Sequence, residues 1–330
     1  MINLRAVARD LLGLESLANR AYGHDAILKA YAGVRLPYTV PGQIQHGWQR
    51  GTGISGDLAK HGKVERACRY FVWNRHNLRR ATELGYANAL AIGAPFIYLQ
   101  SDQSPSTPTL GQKSLLLFPF HTWEREPFID CVRTHREYLA EIRELRSLFS
   151  PLTVCLYWVQ YAEPEVVRLF EAEGIEVVTC GSRDNNPRFL ANFRNITARH
   201  TYVCSNHFST AVFYALYMRK KVFLFGKSRS SEVHWFSRNQ PAAAGDDPVL
   251  YPQLLWPNFD DKSHYWIGEE ELGFEFKRSP AQLRELFGWY PANFVRQSVR
   301  RPLVASRRLA RAGLRRMRGS VTTPNHPVNS

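Results

Sequence analysis

Residues 201–226 read TYVCSNHFSTAVFYALYMRKKVFLFG, and this stretch decides the fold. Tyr202-Val203-Cys204 is a short run of β-formers, which predicts a buried strand. Ser205-Asn206-His207-Phe208-Ser209-Thr210 is a polar turn that ends in residue types favoured at helix starts. Ala211 to Met218 has the length of a short helix. Val222-Phe223-Leu224-Phe225 is a second strand, and Gly226 closes it. The unit is therefore strand, turn, helix, strand. A helix N-terminus gathers unpaired N–H groups and partial positive charge, so hydroxyls beside it make a seat for phosphate. The competing reading is an ordinary αβ unit whose Ser and Thr only cap a helix.

Similar punctuation runs through the chain on both sides. Upstream, Gln43-Ile44-Gln45 predicts a short strand that enters a His46-Gly47 turn, followed by a glycine-rich loop with Gly51, Gly53 and Gly56. Arg69 to Trp73 and Ala89 to Ile92 predict strands. Between them Asn74 caps a helix to Leu84, and Gly85 stops it. Residues 101–113, SDQSPSTPTLGQK, have the composition of a linker. Beyond them come strands at Ser114–Phe118, Thr153–Trp158 and Ile175–Cys180, with helices at Glu124–Leu148, Glu163–Glu173 and Asn185–Thr197. Residues 227–275 read as an aromatic loop excursion, and Pro280–Phe287 as a helix. The fold class that follows is α/β, with two Rossmann-like domains facing a cleft and a basic helical tail. The expected division is 1–110 on the acceptor side, 111–290 for nucleotide-donor binding, and 291–330 as tail.

Ligands of open α/β sheets bind beyond the carboxyl ends of strands. His46, His121, Gly181-Ser182 and Ser205–Thr210 all follow predicted strands. His46 has the chemistry to deprotonate an acceptor hydroxyl, and a protonated His121 to balance a leaving phosphate. Ser205, Ser209 and Thr210 are the candidate phosphate ligands, with Arg183 as a neutralising cation. For each residue the alternative is structural: a histidine bound to backbone, a capping hydroxyl, a solvated arginine. His207 is a neighbour with no assigned role.

Composition bounds the function. The 330 residues are 44% hydrophobic and 22% charged, as in globular proteins. The net charge of +14 points to anionic partners. Nine arginines between Arg296 and Arg318, with no acid among them, carry most of that excess. With Leu303, Val304, Leu309, Leu314 and Met317 interleaved, Val304–Arg318 predicts a basic amphipathic helix for anionic membrane surfaces. Only Phe294 supplies an aromatic there, which argues against nucleic acid as partner. The five cysteines (68, 131, 155, 180 and 204) form no CxxC pair, and Cys155, Cys180 and Cys204, in or beside predicted strands, read as small buried hydrophobes in a reducing compartment. No apolar run reaches membrane-spanning length, and the first residues (Leu4, Val7, Leu11) pattern as a surface helix. A cytoplasmic protein, peripheral to the inner face of the plasma membrane, is expected. Phosphate-loop, dinucleotide and nucleophile-elbow motifs are missing. Asp184 and Glu232 form no D-x-D pair, so neither metal nor cofactor is expected.

Two strings carry a family resemblance. VCSNHFSTAVFYALYMRKKVFLFG resembles the donor-binding βαβ segment of GT-B-fold transferases. QIQHGW, with FVWNRHNLRRATELGYANALAIGAPFIYL, is similar to bacterial capsule and teichoic-acid transferases. The latter include CDP-glycerol glycerophosphotransferases and sialyl- or polysialyl-type enzymes. The resemblance covers roughly residues 40–226. It implies His46 as base and Ser209-Thr210 at the nucleotide. The His-Pro pair of the sialyl-type group has no match, because Thr122 follows His121. The implied activity is metal-independent transfer of a sugar from a nucleotide-activated donor to a surface-polysaccharide or lipid-linked acceptor. A CDP-alcohol phosphotransferase of polymer synthesis is the near alternative, and a non-catalytic nucleotide-sugar or nucleic-acid-binding protein the distant one.

Overall fold

The computed structural model describes residues 17–36, 38–49, 69–100, 111–121, 130–184, 186–227, 250–291 and 293. The segment with Leu4, Val7 and Leu11, the Gly51/Gly53/Gly56 loop, residues 101–110 of the linker, Glu232 and the arginine-rich tail lie outside them.

In chain order, a 3₁₀ segment Leu17–Gly23 leads into α1 (His24–Tyr31). β1 (Gln43–Ile44), β2 (Tyr70–Val72), α2 (Arg75–Glu83) and β3 (Ala89–Ala91) follow. Asn74 caps α2 through the Asn77 N–H, as its side-chain chemistry predicts, and Gly85 takes the left-handed conformation behind it. The three strands form a parallel sheet in the order β1-β2-β3.

The second sheet starts with β4 (Leu115–Phe118), α3 (Cys131–Glu141) and β5 (Leu152–Cys155). Next are α4 (Trp158–Tyr161), α5 (Pro164–Glu171), β6 (Glu176–Val178) and α6 (Phe189–Ala198). β7 (Tyr202–Ser205), α7 (Thr210–Tyr217) and β8 (Lys221–Leu224) complete it. This sheet has five strands, all parallel, in the order β6-β5-β4-β7-β8. The expected α/β class with parallel sheets is what the chain adopts, and its second sheet has Rossmann-like winding. Val203 and Val222 of the strands and Phe213 and Leu216 of the helix are fully buried in one apolar cluster, which holds this region together.

Three expectations need correction. The strand expected over Thr153–Trp158 ends at Cys155, where its pairing to Val178 stops, and Trp158 opens α4 instead. The helix expected over Glu124–Leu148 is α-helical from Cys131 to Glu141 and continues as a 3₁₀ segment over Ile142–Ser147; residues 122–129 lie outside the described set. Of the expected loop excursion over 227–275, residues 228–249 lie outside the described set, and 250–275 are ordered by two 3₁₀ turns and α8 (Tyr265–Glu271). The buried face of α8 is Ile267, Gly268 and Glu271, so it lacks the apolar periodicity that betrays a helix. Gly268 sits there because a Cβ would come within 2.9 Å of the Leu216 carbonyl carbon in α7.

After α8 the chain crosses back to the first sheet in α9 (Pro280–Phe287), which carries the expected bounds and a Ser279 capping box. Phe287 packs edge-on against Phe71 at 5.0 Å. Arg69 donates to the Leu286 carbonyl, and the Trp289 indole to that of Thr39. One buried apolar cluster joins Phe71, Trp73 and Ile92 of the first sheet region to Leu116, Val203 and Val222 of the second. Among the described residues no helix is long and apolar enough to cross a membrane.

Candidate functional site

From β4 the chain winds outward through β5 and β6, then returns to the other side of β4 for β7 and β8. The border between β4 and β7 is therefore a topological switch point, the place where open α/β sheets bind their ligands. Phe118 is paired with Ser205 at that border. The residues just beyond are Pro119-Phe120-His121 on one side and Asn206-His207 on the other.

Side chains of the β7 turn stitch the two loops together. Ser205 Oγ donates to the Phe118 carbonyl at 2.8 Å. Asn206 Oδ1 accepts the Phe120 N–H at 2.8 Å, and its Nδ2 donates to the Lys227 carbonyl. Ser205 is fully buried, so its hydroxyl fastens the strand ends and does not face an open crevice. Phe120 meets the His207 ring edge-on at 5.1 Å. His121 is partly exposed and stacks on Tyr157 at 4.4 Å, so the end of β5 also holds it.

His46 comes to α7 from the other sheet. Gln45, fully buried, locks its turn: Oε1 accepts the Trp73 N–H and Asn77 Nδ2, and Nε2 donates to the Gly47 carbonyl. Trp48 then docks the turn on the helix. Its N–H donates to Thr210 Oγ1 at 2.9 Å, its ring stacks on Phe213 at 4.4 Å, and its indole N–H donates to Glu271 Oε2 at 2.8 Å. Glu271 is 3% exposed, and its other oxygen accepts the Tyr251 hydroxyl at 2.6 Å. Gly47 suits this approach, since a Cβ would stand 3.0 Å from Thr210 Oγ1. The His46 ring itself packs on Tyr22 at 4.9 Å.

The expected residues thus divide. The structure brings the His46 turn against Thr210, and it brings His121 and Ser205 to the switch point. Thr210 Oγ1 accepts a backbone N–H and keeps its own proton to donate. Ser209 precedes α7 in an extended conformation and makes no side-chain cap. Arg183 follows β6, two strands from the β4–β7 border. Its carbonyl accepts the Tyr22 N–H at 2.7 Å, and its guanidinium lies 3.5 Å from Asp184. Sequence reading passes over Gln45, Trp48, Glu271 and Tyr22, which build the site; polar residues that are buried look like surface residues in a string. Only the positive φ of Tyr22, 57°, marks it, and that is visible in structure alone. Among the described residues no group of three His, Cys, Asp or Glu converges as a metal site.

Burial sets the charge of two imidazoles. His24 is 1% exposed, and desolvation pushes its pKa down to about 3. His207 is pushed down to about 3 by desolvation, with the charge of His121 adding to it. His135 and His200 move in the same direction, chiefly through burial. In the unfolded chain histidine titrates near 6.5. The unfolded state therefore binds protons that the folded state refuses, and stability declines as pH falls from 6.5 towards 3. The melting temperature is expected to drop steadily over that window, and His24→Leu to flatten the slope. An unchanged slope in that variant would show that His24 is not held neutral.

No protein-family model, curated protein or solved structure matches this chain.

Proposed function

We propose that the chain is a glycosyltransferase of GT-B-like organisation, with two Rossmann-like halves, that moves a sugar from a nucleotide-activated donor to a surface-polysaccharide or lipid-linked acceptor. The observation that carries this reading is the position of the β4–β7 switch point. It lies at the start of α7, against which the first sheet has set the His46 turn. In this reading the donor phosphates lie at the N-terminus of α7. The Ser209 hydroxyl and the remaining Thr210 proton donate to them there, and the helix dipole favours their charge. His121, when protonated, offsets the charge of the departing nucleotide. His46 takes the proton of the acceptor hydroxyl as it attacks the sugar carbon. The close packing around Trp48, Phe213 and Glu271 keeps the turn in register with the helix, and catalysis by orientation needs that.

A thermal-shift screen with CDP, CMP, UDP, GDP and their sugars tests the reading. A ligand at a hundred times its dissociation constant stabilises the folded state by about 2.7 kcal/mol, so at least one nucleotide should raise the melting temperature by several degrees. No shift with any of them would remove the donor site.

A further inference from the structure

We propose that His207 is a further substrate-binding group, whose Nε2 accepts a hydrogen bond from a hydroxyl of the nucleotide-activated donor while Ser205 and Asn206 orient the ring. The proposal rests on the transferase reading and adds to it a contact that sequence reading leaves unassigned.

Hydrogen positions around the ring fix its tautomer. His207 Nδ1 lies 3.4 Å from Ser205 Oγ and 3.4 Å from Asn206 Oδ1. The Ser205 hydroxyl proton is already committed to the Phe118 carbonyl, so towards His207 that oxygen can only accept. Asn206 Oδ1 is a carbonyl oxygen, fixed as such because it accepts the Phe120 N–H while Nδ2 donates to the Lys227 carbonyl. Both neighbours of Nδ1 are acceptors. A neutral ring therefore carries its proton on Nδ1 and leaves a bare lone pair on Nε2. Among the described residues Nε2 meets no partner, and the residue is partly exposed beside the β4–β7 border.

The ring stays neutral because it is desolvated and because His121, on the loop after β4, opposes a second positive charge beside it. Among the described residues His121 is the titratable group whose charge acts on it. A lone pair repels an ionised phosphate oxygen, so the group that Nε2 accepts must bring a hydrogen. In a nucleotide sugar the groups next to the phosphates that bring one are the ribose and sugar hydroxyls, the base N–H groups lying beyond the ribose. The two histidines then divide the work: His121 faces the phosphate charge and His207 reads a hydroxyl. The arrangement also gives Ser205 a place in the site without a phosphate contact. It acts through His207, as a positioning residue.

Imidazole nitrogen NMR of the full chain with labelled histidine tests this, the His207 signal being assigned by its loss in His207→Gln. At pH 7 the signal should show a protonated Nδ1 and an unprotonated Nε2, and Nε2 should move when a binding nucleotide or nucleotide sugar is added. The probes are CDP, CMP, UDP and GDP, their 2′-deoxy counterparts, and UDP- and GDP-sugars. Weaker binding of the deoxy form by about tenfold places the hydroxyl on ribose. Equal binding of the deoxy form, with Nε2 moved only by a nucleotide sugar, places it on the sugar. Either result supports the proposal. His207→Leu should weaken the binding ligand about tenfold, whereas His207→Gln, which keeps an acceptor near the same point, should retain most of the affinity. A protonated Nε2, or an Nε2 unmoved by probes that do bind, overturns the role of His207 and leaves the transferase reading standing. If no probe binds, the transferase reading falls and takes this contact with it.

Discussion

Replacing Gly273 by alanine is expected to cost the fold about 4 kcal/mol or more, enough to unfold much of the population near physiological temperature. Gly273 ends α8 in the left-handed conformation, with φ at 67°. That alone penalises a Cβ by about 1 kcal/mol. The larger part is contact. A Cβ here would overlap the Trp73 carbonyl oxygen and lie 2.7 Å from its carbonyl carbon and 3.2 Å from Asn74 Cα. All three atoms are backbone, and they cannot swing aside. Trp73 is fully buried, and its carbonyl also accepts the Gly93 N–H, so the end of β2 would have to move with it. The same junction holds Asn74 Nδ2 on the Glu271 carbonyl. Gly174 provides the control: its φ is 71°, and nothing stands within 4 Å of its missing Cβ. Gly174→Ala should cost only the conformational part. Denaturant midpoints of the two variants separate the effects, and equal losses would mean that α8 does not sit this close to the first sheet.

That junction also shows where the sequence stops being readable. The unit at 201–226 is legible because its strands are β-branched and aromatic, its helix apolar, and its boundaries marked by Ser, Asn and Gly. The parallel strands of both sheets follow from similar local cues. Strand order does not, since it depends on which side of β4 the chain returns to, and no local pattern encodes that. Without the order, Ser205 and His121 are merely residues after strands; with it they lie on the same border. α8 escapes because its contact face uses Gly268 for close approach and Glu271 for hydrogen bonds, where a sequence reader looks for leucines. Gln45 and Glu271 escape for the related reason that a buried, fully bonded polar side chain has the same letter as a solvated one. The roles of Ser205 and Thr210 are only half visible in sequence. Their hydroxyls do bond at strand and helix ends, but to Phe118 and Trp48, and those partners are 87 and 162 residues away.

On the transferase reading, His46→Ala should lower turnover by about 10²- to 10⁴-fold, the range for loss of a positioned general base. Nucleotide affinity should stay within about twofold. The separation follows from how the turn is held. Its anchors are Gln45 to the Gly47 carbonyl, Trp48 N–H to Thr210, and the Trp48 indole to Glu271 and Phe213. None of them uses the imidazole, so the donor side of α7 keeps its shape when the ring is removed. Packing against Tyr22, 4.9 Å from the ring, is lost, and the variant should show a modest loss of stability. Thr210→Val behaves in the opposite way. It removes the acceptor of the Trp48 N–H and leaves a half-buried donor unmet, so turnover and nucleotide affinity should fall together, with a loss of about 1–3 kcal/mol in stability. Thr210→Ser keeps the oxygen and should recover most of all three. If His46→Ala instead loses nucleotide affinity in step with turnover, the imidazole is part of the scaffold. The base must then be sought elsewhere at the switch point.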